Sequence, residues 1–143
     1  MKIGIGNDHR GFNLKEQLVL YLEKQGYEVV DYGANTSETV DYPIYAFKVG
    51  EAVKNKEVDL GILICGTGIG MSIACNKVKG VRCGKVNSAE EAELTKGHNH
   101  ANVIAISENV ADPYEIVSTF IKTPFYDDER HIRRVAMIDN YDN

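Results

Sequence analysis

Residues 58–70 read VDLGILICGTGIG, a largely apolar run that passes into three glycines within five residues. A short apolar run bounded by a turn signal is typical of a strand buried on both faces, as in parallel sheets. The glycines predict a tight turn, and a helix is predicted from about residue 69 to 77. A buried strand, a glycine-rich turn and a helix in succession indicate an α/β fold.

The same alternation continues on both sides of this segment. Further strands are predicted at 2–6, in YEVVDYG from residue 27, at 81–86 and at 102–107. Further helices are predicted in GFNLKEQLVLYLEKQG (11–26) and at about 44–54, 89–97, 112–122 and 127–138. Five strands joined by helices predict a parallel sheet covered on both faces, because each parallel crossover needs its own helix.

Length and composition bound the class of protein. The 143 residues suit one domain spanning 1–143, and 43% hydrophobic with 26% charged residues is ordinary for a globular chain. The net charge of -5 disfavours nucleic-acid and membrane-surface roles, so an anionic substrate would need a local basic pocket. With neither a signal peptide nor a spanning segment predicted, we expect a cytoplasmic protein.

Cys65 stands where the central strand meets the glycine-rich turn. The amides of such a turn point into one space and can bind an anion or a developing oxyanion. A thiol beside that positive region is more readily ionised and can act as a base. The plainer interpretation, a small buried residue followed by a tight turn, is equally consistent with the spacing.

Four segments carry the unusual polar chemistry of the chain. Ligands of parallel α/β sheets bind beyond the carboxyl ends of the strands. We therefore expect segments 7–11, 33–43, 65–71 and 98–100 to border one cleft.

The segment Asn-Asp-His-Arg-Gly at 7–11 combines a carboxylate, an imidazole and a guanidinium after the first strand. Asp8 can accept hydrogen bonds from sugar hydroxyls, and His9 can donate one to a phosphate or ring oxygen. For an isolated loop, a helix cap at Asp8 or Asn7 with a solvated Arg10 is the favoured interpretation.

Histidines and arginines also cluster late in the chain. Segment 98–100 (His-Asn-His) precedes the fifth strand, so we expect it at a helix end bordering the cleft, where a histidine can pass protons or face the helix terminus. Arg130 and Arg134 share a helix face beside His131. They can grip a phosphate, although spacing alone favours a solvated face paired with the acidic residues 127–129.

Two other kinds of site fit the sequence poorly. The spacing G-x-G-x-G differs from the dinucleotide pattern G-x-G-x-x-G and follows the third strand rather than the first. His98, His100 and a cysteine lack metal-ligand spacing, and Cys65, Cys75 and Cys83 include no C-x-x-C pair. We expect reduced thiols and no metal.

Six segments together carry a resemblance that covers nearly the whole chain. They are N-D-H-R-G-F (7–12), V-D-Y-P (40–43), I-C-G-T-G-I-G-M-S (64–72), N-K-V-K-G-V-R (76–82), H-N-H-A-N-V (98–103) and R-H-I-R-R-V (130–135). In order and spacing the chain resembles the type B ribose-5-phosphate isomerase family, which also contains the galactose-6-phosphate isomerase subunits. The C-G-T-G-x-G segment is its most specific part.

The resemblance implies a Rossmann-like three-layer α/β/α sandwich with a five-stranded parallel sheet. It also implies a homodimer, often assembled further into a tetramer, whose partner subunit completes the cleft without a metal or organic cofactor. By position, Cys65 would be the base that moves a proton between C1 and C2, and Thr67 would help protons pass between the two oxygens. His98, assisted by Asp8, would open the furanose ring.

The resemblance further implies a set of side chains and amides that bind a sugar phosphate. Asn99 and the glycine amides would hold the enediolate, and the basic residues would bind the phosphate, some of them across the dimer. The full set of binding residues comprises His9, Tyr42, Gly66, Gly68, Gly70, Asn99, Arg130, His131 and Arg134.

Two positions depart from the family pattern. Many relatives have an arginine shortly after strand five, where this chain has Asn109, and Arg10 occupies a place often held by a small or apolar residue. Arg10 could compensate, or the substrate could be allose 6-phosphate, galactose 6-phosphate or a tetrulose phosphate instead of ribose 5-phosphate. A non-catalytic sugar-phosphate binding module and, by fold analogy alone, a nucleotide-binding regulator are the other classes considered.

Overall fold

The computed structural model describes residues 1–141 and consists of one five-stranded sheet and six helices. The strands are β1 (Lys2–Asn7), β2 (Glu28–Asp31), β3 (Leu60–Cys65), β4 (Cys83–Lys85) and β5 (Val103–Ser107). The helices are α1 (Phe12–Lys24), α2 (Tyr42–Lys54), α3 (Ile69–Cys75), α4 (Ala89–Gly97), α5 (Pro113–Lys122) and α6 (Glu129–Asp139). A 3-10 turn, His9–Gly11, joins β1 to α1.

All strand pairs are parallel, and the strand order is β2-β1-β3-β5-β4. Strand β3 is central, with all six of its residues buried. Its neighbours are in register at both ends, because Ile3 pairs with Leu60 and Cys65 pairs with Ser107. The carboxyl ends of β1, β3 and β5 therefore lie side by side, at what we call the carboxyl edge of the sheet.

Apolar side chains cover both faces of the sheet, as a parallel sheet requires. Alternate residues of β3 enter different cores: Ile62 and Ile64 pack with α1 and α5, whereas Leu63 and Cys65 pack with α2 and α3. This arrangement confirms the three-layer Rossmann-like sandwich. No helix within residues 1–141 has the length and apolar character needed to cross a membrane.

The predicted boundaries hold to within about two residues for most elements. Helix α2 begins at Tyr42, earlier than predicted, and Pro43 fits the first turn because that position needs no N–H donor. Strand β4 is shorter than the predicted 81–86. Its residue Cys83 exchanges two hydrogen bonds with the side chain of Asn76, which occupies polar groups of this edge strand.

Candidate active site

The glycine-rich turn places the Cys65 thiol against a backbone amide at the carboxyl edge. Cys65 is the last residue of β3 and is 5% exposed, and the Gly68 N–H donates to its Sγ at 3.1 Å. Gly68 has a φ of 82°, which a residue with a Cβ adopts at a cost. A Cβ there would also lie 3.0 Å from the Ile106 carbonyl carbon. The turn therefore depends on glycine both for its conformation and for its packing.

Thr67 and Tyr42 complete this side of the site. The Thr67 Oγ1 accepts a hydrogen bond from the Ile69 N–H at 3.1 Å, which leaves the hydroxyl proton available to donate. The ring of Tyr42, at the start of α2, lies over Gly70, where a Cβ would come within 2.7 Å of the ring. The loop after β2 thus brings an aromatic side chain against the turn that holds Cys65.

Asp8 both caps the 3-10 turn and borders β3. Its Oδ1 accepts hydrogen bonds from the Arg10 and Gly11 N–H groups at 3.0 and 3.2 Å, so the predicted helix-cap role is confirmed. The Asp8 N–H donates to the Ile64 carbonyl at 3.2 Å, one residue before Cys65. The cap role does not exclude a role toward a ligand, because a carboxylate has several lone pairs.

His9 faces the loop that follows β2. Its Nδ1 accepts a hydrogen bond from the Val40 N–H at 3.2 Å. A nitrogen that accepts cannot carry the proton, so the proton of the neutral imidazole is on Nε2. His9 therefore presents an N–H donor to any group bound at its other side.

The loop after β2 is tied to β1 by a buried network. Asn7 is fully buried, and its Nδ2 donates to the carbonyls of Asp8 and Ala34, both at 2.8 Å. The fully buried Lys15 donates to Asp31 at 2.8 Å and to Asn35 at 2.6 Å. These bonds hold the start of segment 33–43 against the carboxyl edge.

A second group of predicted residues lies at the opposite edge of the sheet. Segment 98–100 follows α4 and precedes β5, so it lies at the amino end of the strands. The prediction that it borders the same cleft as segment 65–71 is therefore wrong within one subunit. The physical reason is the crossover: each helix returns the chain to the edge where the next strand starts. A parallel strand rises ~3.3 Å per residue, so β5 alone separates the two edges by ~13 Å.

Helix α6 joins this second group. The rings of His98 and His131 stack with centroids 4.5 Å apart, and Tyr126 meets His98 edge-on at 5.9 Å. His131 is buried and lies 3.4 Å from Asp128, and Arg130 lies 3.7 Å from the same carboxylate. Arg134 and Asn99 are exposed. We call His98, Asn99, Arg130, His131 and Arg134 the amino-edge group.

Arg82 connects segment 98–100 to the end of α6. Its Nε donates to the His100 carbonyl and its Nη1 to Asp139, both at 2.8 Å. Partial burial, followed by the positive charges of Arg82 and Lys96, lowers the pKa of His100 below its ordinary value, against the opposing effect of Asp139. His100 stacks on Phe125 with ring centroids 4.3 Å apart. These contacts fix the backbone that directly follows His98 and Asn99.

Cavities occur at both edges. One of about 810 Å³ at the amino edge is lined by Asn99, Arg82 and Met137, among others, and does not include Cys65. Another of about 450 Å³ at the carboxyl edge is lined by Thr67, Lys85 and Ser107, among others. The larger of these two cavities therefore lies away from the thiol. The position of Cys65 and the glycine turn identifies the candidate site better than cavity volume does.

Sequence reasoning missed Lys15 and Glu108. Lys15 lies on the apolar stripe of α1, three residues before Leu18. A lysine at such a core position is rare without a buried partner, and this could have predicted its role. Glu108 follows β5 directly and is brought over the end of β3 by pairing across the sheet, for which the sequence contains no local signal. Among residues 1–141 no group of three or more metal-ligating side chains is found.

Comparison with known proteins agrees with this architecture. Residues 3–138 match the family profile described as Ribose/Galactose Isomerase. Ribose-5-phosphate isomerase B of Escherichia coli strain K12 is 44% identical over 140 residues, which cover 96% of this chain and 93% of that protein.

Solved structures give the same result. A structure of Clostridium thermocellum ribose-5-phosphate isomerase B is similar with a TM-score of 0.94 and 47% identity, covering 97% of this chain and 95% of that one. Ribose-5-phosphate isomerase B from Mycoplasma genitalium with bound ribulose-5-phosphate has a TM-score of 0.92 and 41% identity, with 98% and 95% coverage. With sequence, profile and fold in agreement over nearly its whole length, this chain belongs to the ribose/galactose isomerase family.

Proposed function

We propose that this protein interconverts ribose 5-phosphate and ribulose 5-phosphate, with Cys65 as the base that carries a proton between C1 and C2. The observation that carries the proposal is the Gly68 N–H at 3.1 Å from the Cys65 Sγ, within a turn of close-packed glycines. A C–H next to a carbonyl is a weak acid, so its removal requires both a base and a site that stabilises the enediolate. The thiol and the turn amides supply these two components next to each other.

The proton transfers balance without a redox partner. The Cys65 thiolate removes the C2 proton of the open-chain aldose, and the C–H electron pair forms the C1–C2 double bond as charge moves to O1. Thr67, whose hydroxyl proton is available, passes a proton from O2 to O1. The Cys65 thiol then returns its proton to C1, which leaves a carbonyl at C2 and regenerates the thiolate. The amides of Gly66 to Gly70 stabilise the negative oxygen during this sequence.

The amino-edge group enters the proposal through a second subunit. Within one chain, the depth of the sheet separates His98 from Cys65, so a site that uses both needs two copies. In a two-fold homodimer, the amino-edge group of each subunit can meet the carboxyl edge of the other, which gives two equivalent sites. In this arrangement His98 opens the furanose ring with Asp8, and Asn99 contacts the enediolate. Arg130, His131 and Arg134 join His9 of the other subunit in binding the phosphate.

The experiment is a panel of sugar phosphates followed for aldose–ketose conversion without added metal. Ribose 5-phosphate turns over in the wild type, and Cys65→Ala loses activity by at least about 10³-fold because the base is gone. Cys83→Ala is the matched control. The Cys83 thiol, on β4, packs against α3 and not in the glycine turn, so this variant should keep near wild-type activity. No turnover of any substrate by folded protein would contradict the isomerase proposal.

The same panel separates the alternatives. Allose 6-phosphate, galactose 6-phosphate and tetrulose phosphates are included because Asn109 and Arg10 depart from the family pattern near the cleft. Preferred turnover of one of these would replace ribose 5-phosphate as the substrate and keep Cys65 as the base. Tight binding of a sugar phosphate without turnover would favour the binding-module hypothesis instead.

A further inference from the structure

Arg10 and Glu108 form an ion pair across the end of β3. Arg10 follows β1, Glu108 follows β5, and β3 lies between these strands. The Arg10 Nε lies 2.6 Å from the Glu108 Oε2. A Cβ built on Gly66 would lie 3.6 Å from both Cζ and Nη1 of Arg10 and 3.7 Å from the same Glu108 oxygen. The pair therefore lies directly beside the residue that follows Cys65.

Both members are held by the backbone of the site. The Arg10 N–H donates to Asp8 at 3.0 Å, and the Glu108 N–H donates to the Cys65 carbonyl at 2.8 Å. The side chain of Ser107 donates to the Gly66 carbonyl at 2.7 Å, which ties the same loop to the turn. Groups fixed in this way lose little conformational freedom when a ligand binds.

The geometry of the pair leaves one side of the guanidinium available. The Arg10 side chain is 57% exposed and that of Glu108 only 24%, so the anion is the more buried member and the cation faces outward. Glu108 accepts a hydrogen bond from Nε, and within residues 1–141 the two terminal nitrogens of Arg10 make no hydrogen bond. A guanidinium keeps several planar donors when Nε is engaged, and these match the oxygens of a phosphate.

Four other basic residues considered for the site are bonded to other groups or lie at the other edge of the sheet. Lys15 is buried and bonded to Asp31 and Asn35. Lys85, at the end of β4, borders the carboxyl-edge cavity and bonds to Asn87, with β5 between it and β3. Arg130 and Arg134 belong to the amino-edge group. Arg10 is thus the guanidinium that a subunit places beside its own thiol.

We infer that Arg10, held in place by Glu108, is a phosphate-binding residue supplied by the same subunit as Cys65. The inference rests on the proposed function for the identity of the substrate, but phosphate recognition can be measured without turnover. Glu108 acts through Arg10 as a positioning residue. Its charge also weakens the attraction of the guanidinium for a second anion, so Arg10 and Glu108 have opposite effects on phosphate affinity.

The test measures inorganic phosphate affinity from the rise in melting temperature along a phosphate series, which needs no catalysis. Arg10→Met binds phosphate about tenfold more weakly because charge-assisted hydrogen bonds are lost. Glu108→Gln keeps an acceptor for Nε and removes the repelling charge, so phosphate binds about threefold more tightly. Lys54→Met, an exposed lysine at the far end of α2, controls for net charge and leaves affinity unchanged.

Kinetics provide an independent readout. In Arg10→Met the KM for ribose 5-phosphate rises about tenfold while kcat changes less than about threefold, the pattern of a lost binding contact. Phosphate affinity and KM equal to those of Lys54→Met would overturn the inference, even if the wild type isomerises the substrate. Arg10-dependent phosphate binding by a wild type that turns over no sugar phosphate would support the inference and contradict the proposed reaction.

Discussion

The imidazole rings of His98 and His131 stack 4.5 Å apart at an interplanar angle of 19°, although their residues belong to separate helical segments. His98 directly follows α4, and His131 is on the first turn of α6. The contact gathers the amino-edge group around one point of the surface. The same contact also shows that these side chains form a unit without any contribution from Cys65.

This separation predicts complementation between subunits. If the site is shared as proposed, Cys65→Ala and His98→Ala are each expected to be inactive, because a homodimer of either variant lacks one component at both of its sites. Co-expressed and reassembled, half of the dimers are mixed and carry one intact site of two, so activity recovers to about a quarter of wild type. The measurement is ribose 5-phosphate turnover by the whole reassembled mixture, and mixed dimers purified from it should reach about half of wild type. Mixed dimers without activity would contradict the shared site.

Gly68→Ala is expected to lower kcat strongly while the protein still folds. The substitution adds a Cβ at φ 82°, 3.0 Å from the Ile106 carbonyl carbon, so the turn shifts and the Gly68 N–H leaves Cys65. We expect kcat to fall by about 10²-fold or more, the effect of losing an oxyanion donor.

Gly26→Ala is the matched control for that substitution. Gly26 has a similar φ of 92°, but a Cβ there meets nothing within 4 Å. We expect a loss of about 1–2 kcal/mol in the free energy of unfolding, with kcat unchanged. Equal kcat in the two variants would show that the geometry of the turn does not matter for catalysis.

Lys15→Met is expected to destabilise the protein and weaken substrate binding together. It leaves the Asp31 carboxylate and Asn35 without their buried partner. Because Asp31 is a third exposed, we expect a loss of about 2–3 kcal/mol in unfolding free energy, below that of a fully buried pair.

The KM of Lys15→Met should rise as well, since segment 33–43 and its Val40 contact to His9 lose their support. Lys24→Met, at an exposed position of the same helix, controls for charge. Urea unfolding and steady-state kinetics make the comparison. A stable variant with unchanged KM would disprove the anchoring role.

His100 predicts a pH dependence of stability. Its folded pKa is lowered below the ordinary value of about 6.5, so between the two values the unfolded chain binds more protons and unfolding is favoured. Above about pH 6.5 His100 is neutral in both the folded and the unfolded chain, so it costs no stability. As the pH falls below that value, the unfolded chain takes up the proton first and the free energy of unfolding decreases.

His100→Asn tests this dependence. Asparagine tolerates the residue's φ of 52°, so the backbone is kept while the titrating group is removed. We expect the wild-type free energy of unfolding to decline more steeply than that of the variant between pH 6.5 and pH 5, about the range in which an ordinary histidine titrates. Parallel curves for the two proteins would contradict the prediction.

The fold was predictable from residues close together in the chain. Apolar runs such as 60–65 identify buried strands, and the leucines at 14, 18 and 22 identify α1, because strand and helix periodicities differ. The glycine turn after Cys65 was equally readable, since its three glycines lie within five consecutive residues. These features are local, so a single sequence contains the information.

The arrangement of the site depended on contacts between distant segments. Pairing of β3 with β5 brings Glu108 over Gly66, and the crossover through α4 carries His98 away from Cys65 to the other edge. Lys15 is engaged only because β2 places Asp31 opposite it. Local propensity determines which elements form, whereas burial of both sheet faces determines strand order and hence which side chains meet.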